Sequence, residues 1–343
     1  MHSTITNSQY ISGNPAAEWA DHAVIEWLLA GDPAIRWQAL RDLTAAPPQE
    51  VEAERQRVGT EGWGARLLAE QAPSGMWGGG LYGPKWISTT YTLLSLRQLG
   101  LPPENHQAQA GCRLLFERGI YKDGGINYFK SMNTSEACVT GMVLSILAYF
   151  HYPDERLEAI AKHLLWRQMR DCGWNCEDVK GASHSSFHTT LSVLEGLEEY
   201  KKLLGSGAVG GQGGLLEAIE QAQGRAHEFL LAHRLFRSHR SGEVVDGRML
   251  RFPFPPRWRY DILRALDYFQ GRASPVRGRD PLARDERLLD AVQVLVKKRR
   301  EDGRWPAYAG MAGRIYFELE QAGQPGRWNT LRGLRVLRWW EAS

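Results

Sequence analysis

Ser74-Gly-Met-Trp77 opens a series of similar turns that continues with Asp123-Gly-Gly125, Cys172-Gly-Trp174 and Asp302-Gly-Arg-Trp305. The glycines of the first three turns, Gly75, Gly124 and Gly173, are 49 residues apart. A period of about 20–50 residues indicates stacked copies of one supersecondary unit rather than unrelated domains. The chain is therefore predicted to be built from repeats of about 49 residues.

Helical apolar spacing surrounds each turn and predicts six helical hairpins. The helices before the turns are predicted at about 17–30, 51–71, 104–118, 155–170, 216–235 and 285–300. Those after the turns are predicted at about 33–43, 87–99, 136–150, 187–204, 258–269 and 329–340. The second set is less polar in the middle of the chain, which is typical of an inner ring. We therefore predict an all-α fold, an (α/α)6 toroid of six inner and six outer helices around a central cavity.

Composition and charge limit the classes of protein that fit. Of 343 residues, 43% are hydrophobic and 24% are charged, with a net charge of +3, so the sequence does not resemble an electrostatic nucleic-acid binder. No apolar run approaches the roughly 20 residues of a membrane span, and the N-terminus lacks a secretory pattern. These features predict a cytoplasmic protein: a tail at 1–15, then one barrel domain at 16–343 with a Gly-rich insert at 205–214.

The heads of the predicted inner helices carry a recurring pair of residues. Since every turn leads into an inner helix, the helix N-termini should face one end of the barrel and attract anions. The recurring pairs are Arg36-Trp37, Lys85-Trp86, Arg257-Trp258 and Arg327-Trp328. Each indole could simply pack under a loop while its basic neighbour is solvated. The alternative is a binding rim for an apolar ligand with an anionic head, which makes Trp86, Arg257, Trp258, Arg327 and Trp328 candidate substrate-binding residues.

Thiols, an imidazole and a carboxylate are predicted to meet at the same end of the barrel. In the 49-residue frame Thr89, Cys138 and Phe187 are equivalent, and His188 is one residue further on, so Cys138 and His188 begin adjacent inner helices. Such helices lie about 8–10 Å apart. Each residue alone would more often be an ordinary core residue. Together, Cys138, His188, Cys176 and Glu136 predict a zinc site, with His184 as a further candidate.

These turns, the period and the helical hairpins resemble the squalene-hopene cyclase and protein prenyltransferase β-subunit superfamily, from about Trp19 to Trp340. Glu136-Ala-Cys138 followed by Ser186-Phe-His188-Thr-Thr190 resembles the zinc motif of the prenyltransferases. The resemblance implies that Glu136, Cys138 and His188 bind zinc and that Lys130 contacts a diphosphate. The Asp-x-Asp-Asp proton donor of the cyclase branch has no counterpart here, so a class II cyclase of that type is not expected.

The leading hypothesis for function is a zinc-dependent, prenyltransferase-like or terpenoid-processing enzyme. Its substrate would be an isoprenoid or another apolar molecule with an anionic head, and Glu136, Tyr260 and Asp261 are the candidate catalytic residues. Two alternatives stay open. One is a non-catalytic lipid-binding or isoprenoid-binding protein with a structural metal. The other is a glycan-processing (α/α)6 enzyme, which needs two opposed carboxylates, with Asp261, Asp302 and Glu177 available.

Overall fold

The computed structural model describes residues 21–207, 213–272 and 285–342, and helices dominate all three ranges. The helices are α1 (His22–Leu29), α2 (Pro33–Leu43), α3 (Pro48–Gln56), α4 (Gly62–Ala69), α5 (Thr89–Leu99), α6 (His106–Gly119), α7 (Ala137–Tyr149), α8 (Leu157–Trp166), α9 (Phe187–Gly205), α10 (Leu215–Ala232), α11 (Ile262–Arg272), α12 (Leu289–Lys297) and α13 (Arg327–Ala342). The predicted tail at 1–15 and the central part of the predicted Gly-rich insert, 208–212, lie outside the described residues. Within the described ranges, no helix combines the length and apolarity needed to cross a bilayer.

The predicted all-α class is confirmed. Two short strands accompany the helices, β1 (Trp305–Pro306) and β2 (Pro325–Gly326), which pair antiparallel. The helix predicted at 51–71 is divided into α3 and α4, because Gly62 adopts a φ of +62° and the chain turns there. The helix predicted at 258–269 begins only at Ile262, because Asp261 caps it there: its Oδ1 accepts from the Arg264 backbone N–H at 2.8 Å. Arg257, in the turn before it, has a positive φ of +58°.

The tryptophan turns connect α4 to α5, α8 to α9 and α12 to α13. The indole N–H donates to the backbone carbonyl ten residues earlier, near the end of the preceding helix, at 2.7–2.8 Å; the pairs are Trp77–Leu67, Trp174–Leu164 and Trp305–Leu295. The backbone N–H of the same tryptophan donates to a threonine hydroxyl in the first turns of the following helix; the threonines are Thr89, Thr190 and Thr330. One tryptophan thus satisfies a helix-end carbonyl with its side chain and fixes the next helix with its backbone N–H.

These hydrogen bonds show which positions correspond in successive helices. Thr140 plays the same part for Ile126, whose backbone N–H donates to its hydroxyl at 3.0 Å. Thr89, Thr140 and Thr190 are therefore equivalent, so Cys138 and His188, each two residues before its threonine, are equivalent too. The predicted equivalence of Cys138 is wrong by two residues for Thr89 and by one residue for Phe187, because the loop between the turn and the threonine lengthens from 12 to 14 to 16 residues along the chain.

The less polar helices contact one another in series. α5 packs against α7, and α7 packs closely against α9. Side chains join the other neighbours: Trp37 Nε1 donates to Leu99 O at 2.8 Å between α2 and α5, Arg264 pairs with Glu195 at 2.8 Å between α11 and α9, Arg332 pairs with Asp267 at 3.2 Å between α13 and α11, and Arg335 Nη1 donates to Gln38 Oε1 at 3.1 Å between α13 and α2. The heads of these helices and the loops before them carry the candidate site.

Candidate functional site

Arg257 lies in the loop before α11 and extends toward α5. Its Nη1 donates to Ser95 Oγ at 3.0 Å, and its guanidinium carbon is 5.8 Å from the centre of the Trp86 ring. Among the described residues, no carboxylate forms an ion pair with Arg257. Burial lowers the pKa of Arg257 to about 10, although the nearby Tyr91 opposes the shift. A largely buried cation without a protein counter-charge is costly, so this position favours an anionic ligand.

Aromatic rings surround this cation. We call the group the aromatic–cation cluster; its members are Tyr82, Lys85, Trp86, Tyr91, Arg257 and Trp258. The ammonium of Lys85 lies 5.5 Å from the Trp86 ring centre and 5.8 Å from that of Trp258. The rings of Trp86 and Tyr91 meet edge to face at 4.8 Å, and those of Tyr82 and Tyr91 are 5.3 Å apart. The cluster therefore joins positive charge to a broad apolar surface.

A segment before α13 holds Trp86 in place. The Trp86 indole N–H donates to Ala312 O at 3.0 Å, and its backbone N–H donates to Arg314 O at 2.7 Å. The hydroxyl of Tyr316 donates to Ile87 O at 3.1 Å beside it. Because its polar atom is engaged by this segment, the predicted binding residue Trp86 has only its ring to offer a ligand.

Cys138 and Cys176 form a thiol pair next to the cluster. A hydrogen bond from Cys138, together with one from Thr189, lowers the pKa of Cys176 to about 7, whereas the pairing and burial raise the pKa of Cys138 well above its usual value. Glu136 acts electrostatically on both thiols, and burial raises its own pKa. The structure thus brings three of the four predicted zinc ligands into one neighbourhood.

His188, the fourth predicted ligand, is engaged elsewhere. Its Nδ1 accepts a hydrogen bond from the Tyr260 backbone N–H at 2.8 Å, and its ring packs edge to face against Trp258 at 5.2 Å. A backbone N–H is always a donor, so Nδ1 carries no proton, and the neutral ring must carry it on Nε2. Burial, with the nearby Arg264 and Arg259, lowers the pKa of His188 to about 4 and keeps the ring neutral. Because the Nδ1 lone pair is engaged and Nε2 carries the proton, His188 in this arrangement offers no free lone pair to zinc.

The described residues contain no group of three or more His, Cys, Asp and Glu side chains arranged to hold a metal ion. His184, the further candidate, is exposed, and its Nδ1 lies 2.7 Å from Ser183 Oγ. Zinc binding stays a prediction from the sequence pattern.

Of the two predicted catalytic residues just before α11, Asp261 is the one with an uncommitted polar atom. Tyr260 is buried, and its hydroxyl donates to Leu235 O at 2.7 Å. Asp261 immediately precedes α11: its Oδ1 accepts from the Arg264 backbone N–H at 2.8 Å, and its Oδ2 has no hydrogen-bond partner among the described residues. Burial raises the pKa of Asp261 to about 6 in spite of the positive charge of Arg332.

The other carboxylates considered for glycan processing are engaged at the surface. Asp302 accepts from the Arg304 backbone N–H at 3.0 Å in its turn, and Glu177 pairs with Lys180 at 3.5 Å. Both side chains are exposed, whereas Asp261 is 1% exposed. Within the described part of the chain, the structure therefore gives no support to an opposed pair of catalytic carboxylates.

The remaining predicted binding residues make other contacts. Arg327 donates from Nε to Trp27 O at 3.2 Å and covers the Trp27 ring on α1, and Trp328 stacks on Phe254 at 4.0 Å. Lys130 is exposed in the loop between α6 and α7. The sequence analysis missed Tyr82 and Tyr91; Tyr91, two residues after Thr89 on α5, could have been found once the register was known.

Replacing Asp261 by Asn should change the pH dependence of stability. In the unfolded chain Asp261 ionises near its ordinary pKa of 3.8, but in the folded protein it ionises near 6. The folded state therefore keeps a proton that the unfolded state loses, and the free energy of unfolding falls as the pH rises from about 4 to 6. Relative to Asp261→Asn, the wild type should lose about 3 kcal/mol over this window, measured by urea unfolding. If the free energies of unfolding of the two proteins change with pH in parallel, the raised pKa of Asp261 is refuted.

No protein-family model matches this chain, and no curated protein matches it. Among solved structures, the chain is similar to the type II terpene cyclase MstE from Scytonema in its apo form, with a TM-score of 0.32 and 14% identity over 83% of this chain and 97% of that chain. A variant of MstE in complex with geranylgeranyl dihydroxybenzoate gives a TM-score of 0.31 and 13% identity over 84% of this chain and 96% of that chain. Similarity at this level does not assign a family, so a function has to be inferred from the residues of the candidate site.

Proposed function

We propose that this chain binds and processes an isoprenoid, or another apolar substrate with an anionic head, at the aromatic–cation cluster. The observation that carries the proposal is Arg257, a largely buried guanidinium with no acidic partner among the described residues, placed against aromatic rings. A diphosphate or carboxylate would supply the missing negative charge. The rings of Tyr82, Trp86, Tyr91 and Trp258 would contact the hydrocarbon.

The fold proposed to enclose this cluster is a toroid of six inner and six outer helices. Its support is the series of contacts that runs from α2 through α5, α7, α9, α11 and α13 and returns to α2. Such a ring would surround the substrate chain with helices and keep water from it. The prenyltransferase-like resemblance of the sequence agrees with this proposal in substrate class.

The chemistry that these residues can supply is electrostatic. Arg257 and Lys85 would hold the head group and stabilise it if it departs with the bonding electrons. The faces of Trp86, Tyr91 and Trp258 would stabilise the carbocation that such a departure leaves on the isoprenoid. Asp261 would serve as a proton donor or acceptor, because its pKa lies close to neutral pH.

Replacing Arg257 by Met should weaken the binding of farnesyl diphosphate by about 1.5–3 kcal/mol, because one charge-assisted hydrogen bond to the head group is lost. Isothermal titration calorimetry measures the change. The matched control is Arg248→Met, which removes an exposed arginine that already pairs with Asp246 at 2.8 Å. The control should bind as the wild type does.

Thermal unfolding distinguishes this role from a structural one. Removing a cation that has no protein counter-charge should leave the melting temperature of Arg257→Met unchanged or raise it. A lower melting temperature with unchanged affinity would contradict the proposal and assign Arg257 to the stability of its loop. Binding without release of diphosphate or any altered product would favour the non-catalytic binding protein.

A further inference from the structure

Three buried side chains near the head of α11 each leave one polar atom without a hydrogen-bond partner among the described residues. They are Asp261 (1% exposed, atom Oδ2), Asn329 (1% exposed, atom Oδ1) and Arg332 (3% exposed, atom Nη1). We call them the interior polar triad. Buried polar atoms are paired in roughly nine cases of ten, and each unpaired one costs about 1–3 kcal/mol. One unpaired donor beside two unpaired acceptors points to a ligand group that can both accept and donate a hydrogen bond.

The orientation of each side chain is fixed by its other polar atom. Asn329 Nδ2 donates to Phe252 O at 2.9 Å and to Pro306 O at 2.8 Å. Because both partners are acceptors, the amide nitrogen must be on that side and Oδ1 must be on the other. Arg332 Nε donates to Asp267 Oδ2 at 3.2 Å, which leaves Nη1 to another partner. The fold therefore uses one atom of each residue and leaves the second available.

The three residues are neighbours. Asn329 and Arg332 are three residues apart on α13 and so lie on one face of that helix. Among the charged groups that favour ionised Asp261, Arg332 has the largest effect, which places its guanidinium near the carboxylate. Asp261 itself follows Arg257 by four residues. The triad is thus connected to the cation proposed to hold the anionic head by the short segment that leads into α11.

We infer that the interior polar triad is a second binding subsite, which takes a hydroxyl group on the apolar part of the substrate. This inference rests on the proposed function, because it assumes that the anionic head is held at Arg257. The hydroxyl oxygen would accept from Arg332 Nη1, and its proton would be donated to Asp261 Oδ2 or Asn329 Oδ1. A second carboxylate would be repelled by Asp261, and a plain hydrocarbon would leave all three atoms unpaired. The substrate class is therefore a hydroxylated isoprenoid or a similar hydroxylated lipid anion.

Matched pairs of ligands test this subsite. Lauric, myristic and palmitic acid share a carboxylate head with their ω-hydroxy forms and differ from them only in the terminal hydroxyl. For at least one chain length, calorimetry should show the wild type binding the ω-hydroxy acid about tenfold more tightly, because a site built for a hydroxyl rejects the analogue that lacks it. Asn329→Leu and Arg332→Met should reduce this preference to about onefold. Arg257→Met should weaken both acids of a pair and keep their ratio.

The outcomes separate the two proposals. If neither farnesyl diphosphate nor any acid of the series binds to the wild type, the proposed function fails, and this inference fails with it. If farnesyl diphosphate binds but no acid of the series does, the inference is overturned and the proposed function stands. If the acids bind through Arg257 but the wild type shows no preference for any ω-hydroxy form, the triad holds only water and the inference is overturned. The wild-type comparison decides the matter even if Asn329→Leu and Arg332→Met do not fold.

Discussion

Gly141→Ala is expected to destabilise the protein by about 3 kcal/mol, because α7 and α9 are in backbone contact there. A Cβ atom at Gly141 would lie 2.8 Å from Ser192 O and 2.8 Å from Val193 Cα. From the opposite side, a Cβ at Gly196 would collide with the carbonyl oxygen of Gly141. Since the obstacles are backbone atoms, rotation of a side chain cannot relieve the clash, and the two helices must separate. Urea unfolding of the variant measures the loss.

A second glycine gives the matched control. Gly224 is in the interior of α10, and a Cβ built on it meets nothing within 4 Å. Gly224→Ala should therefore stabilise the protein by about 0.5–1 kcal/mol, the usual gain from replacing a helical glycine. Equal effects of the two substitutions would show that helix propensity, rather than contact between α7 and α9, decides the role of Gly141. Cys138 is in the first turn of α7, so this contact between the two helices also sets the position of its thiol.

The sequence predicted the helices well because their apolar spacing reports burial directly. It also identified the turns, yet its register is off by two residues between the helices of Thr89 and Cys138 and by one residue between those of Cys138 and Phe187. The register depends on the length of the loop between each turn and the threonine that accepts from its backbone N–H, which is 12, 14 and 16 residues for Thr89, Thr140 and Thr190. Glycine spacing does not contain these lengths. The error is small along the chain, but it changes which side chains stand at the same level of adjacent helices.

Prediction of the candidate site from sequence patterns has the same limit. Arg257 and Trp258 could be predicted as parts of one site because they are adjacent in the chain. The predicted proximity of Cys138 and Cys176 is also found in the structure. His188 could not be resolved in this way, since its role depends on the Tyr260 backbone N–H, 72 residues further on. Asn329 and Arg332 carry no motif at all. Their importance comes from the polar atoms that folding leaves without partners, which only the three-dimensional structure reveals.

Arg264→Met is expected to cost about 3–5 kcal/mol, the largest effect among the substitutions considered, because it leaves a buried carboxylate without its main counter-charge. Arg264 is 4% exposed and donates to both carboxylate oxygens of Glu195, from Nε and from Nη2, each at 2.8 Å. Arg97, at 3.4 Å, would remain as the weaker partner of Glu195. Chemical denaturation at neutral pH measures the loss.

The same substitution should weaken binding of farnesyl diphosphate, because Arg264 Nη1 also donates to Arg259 O at 2.9 Å and so fixes the loop that carries Arg257. The double variant Arg264→Met with Glu195→Met should recover most of the stability, since no uncompensated charge is then buried. It should not recover the affinity, because the bond to Arg259 O is still missing. Arg57→Met, which breaks an exposed pair with Glu61, should change neither property measurably. If the double variant is as unstable as the single one, the loss comes from packing around Arg264 rather than from the charge of Glu195, and the ion pair is not what joins α9 to α11.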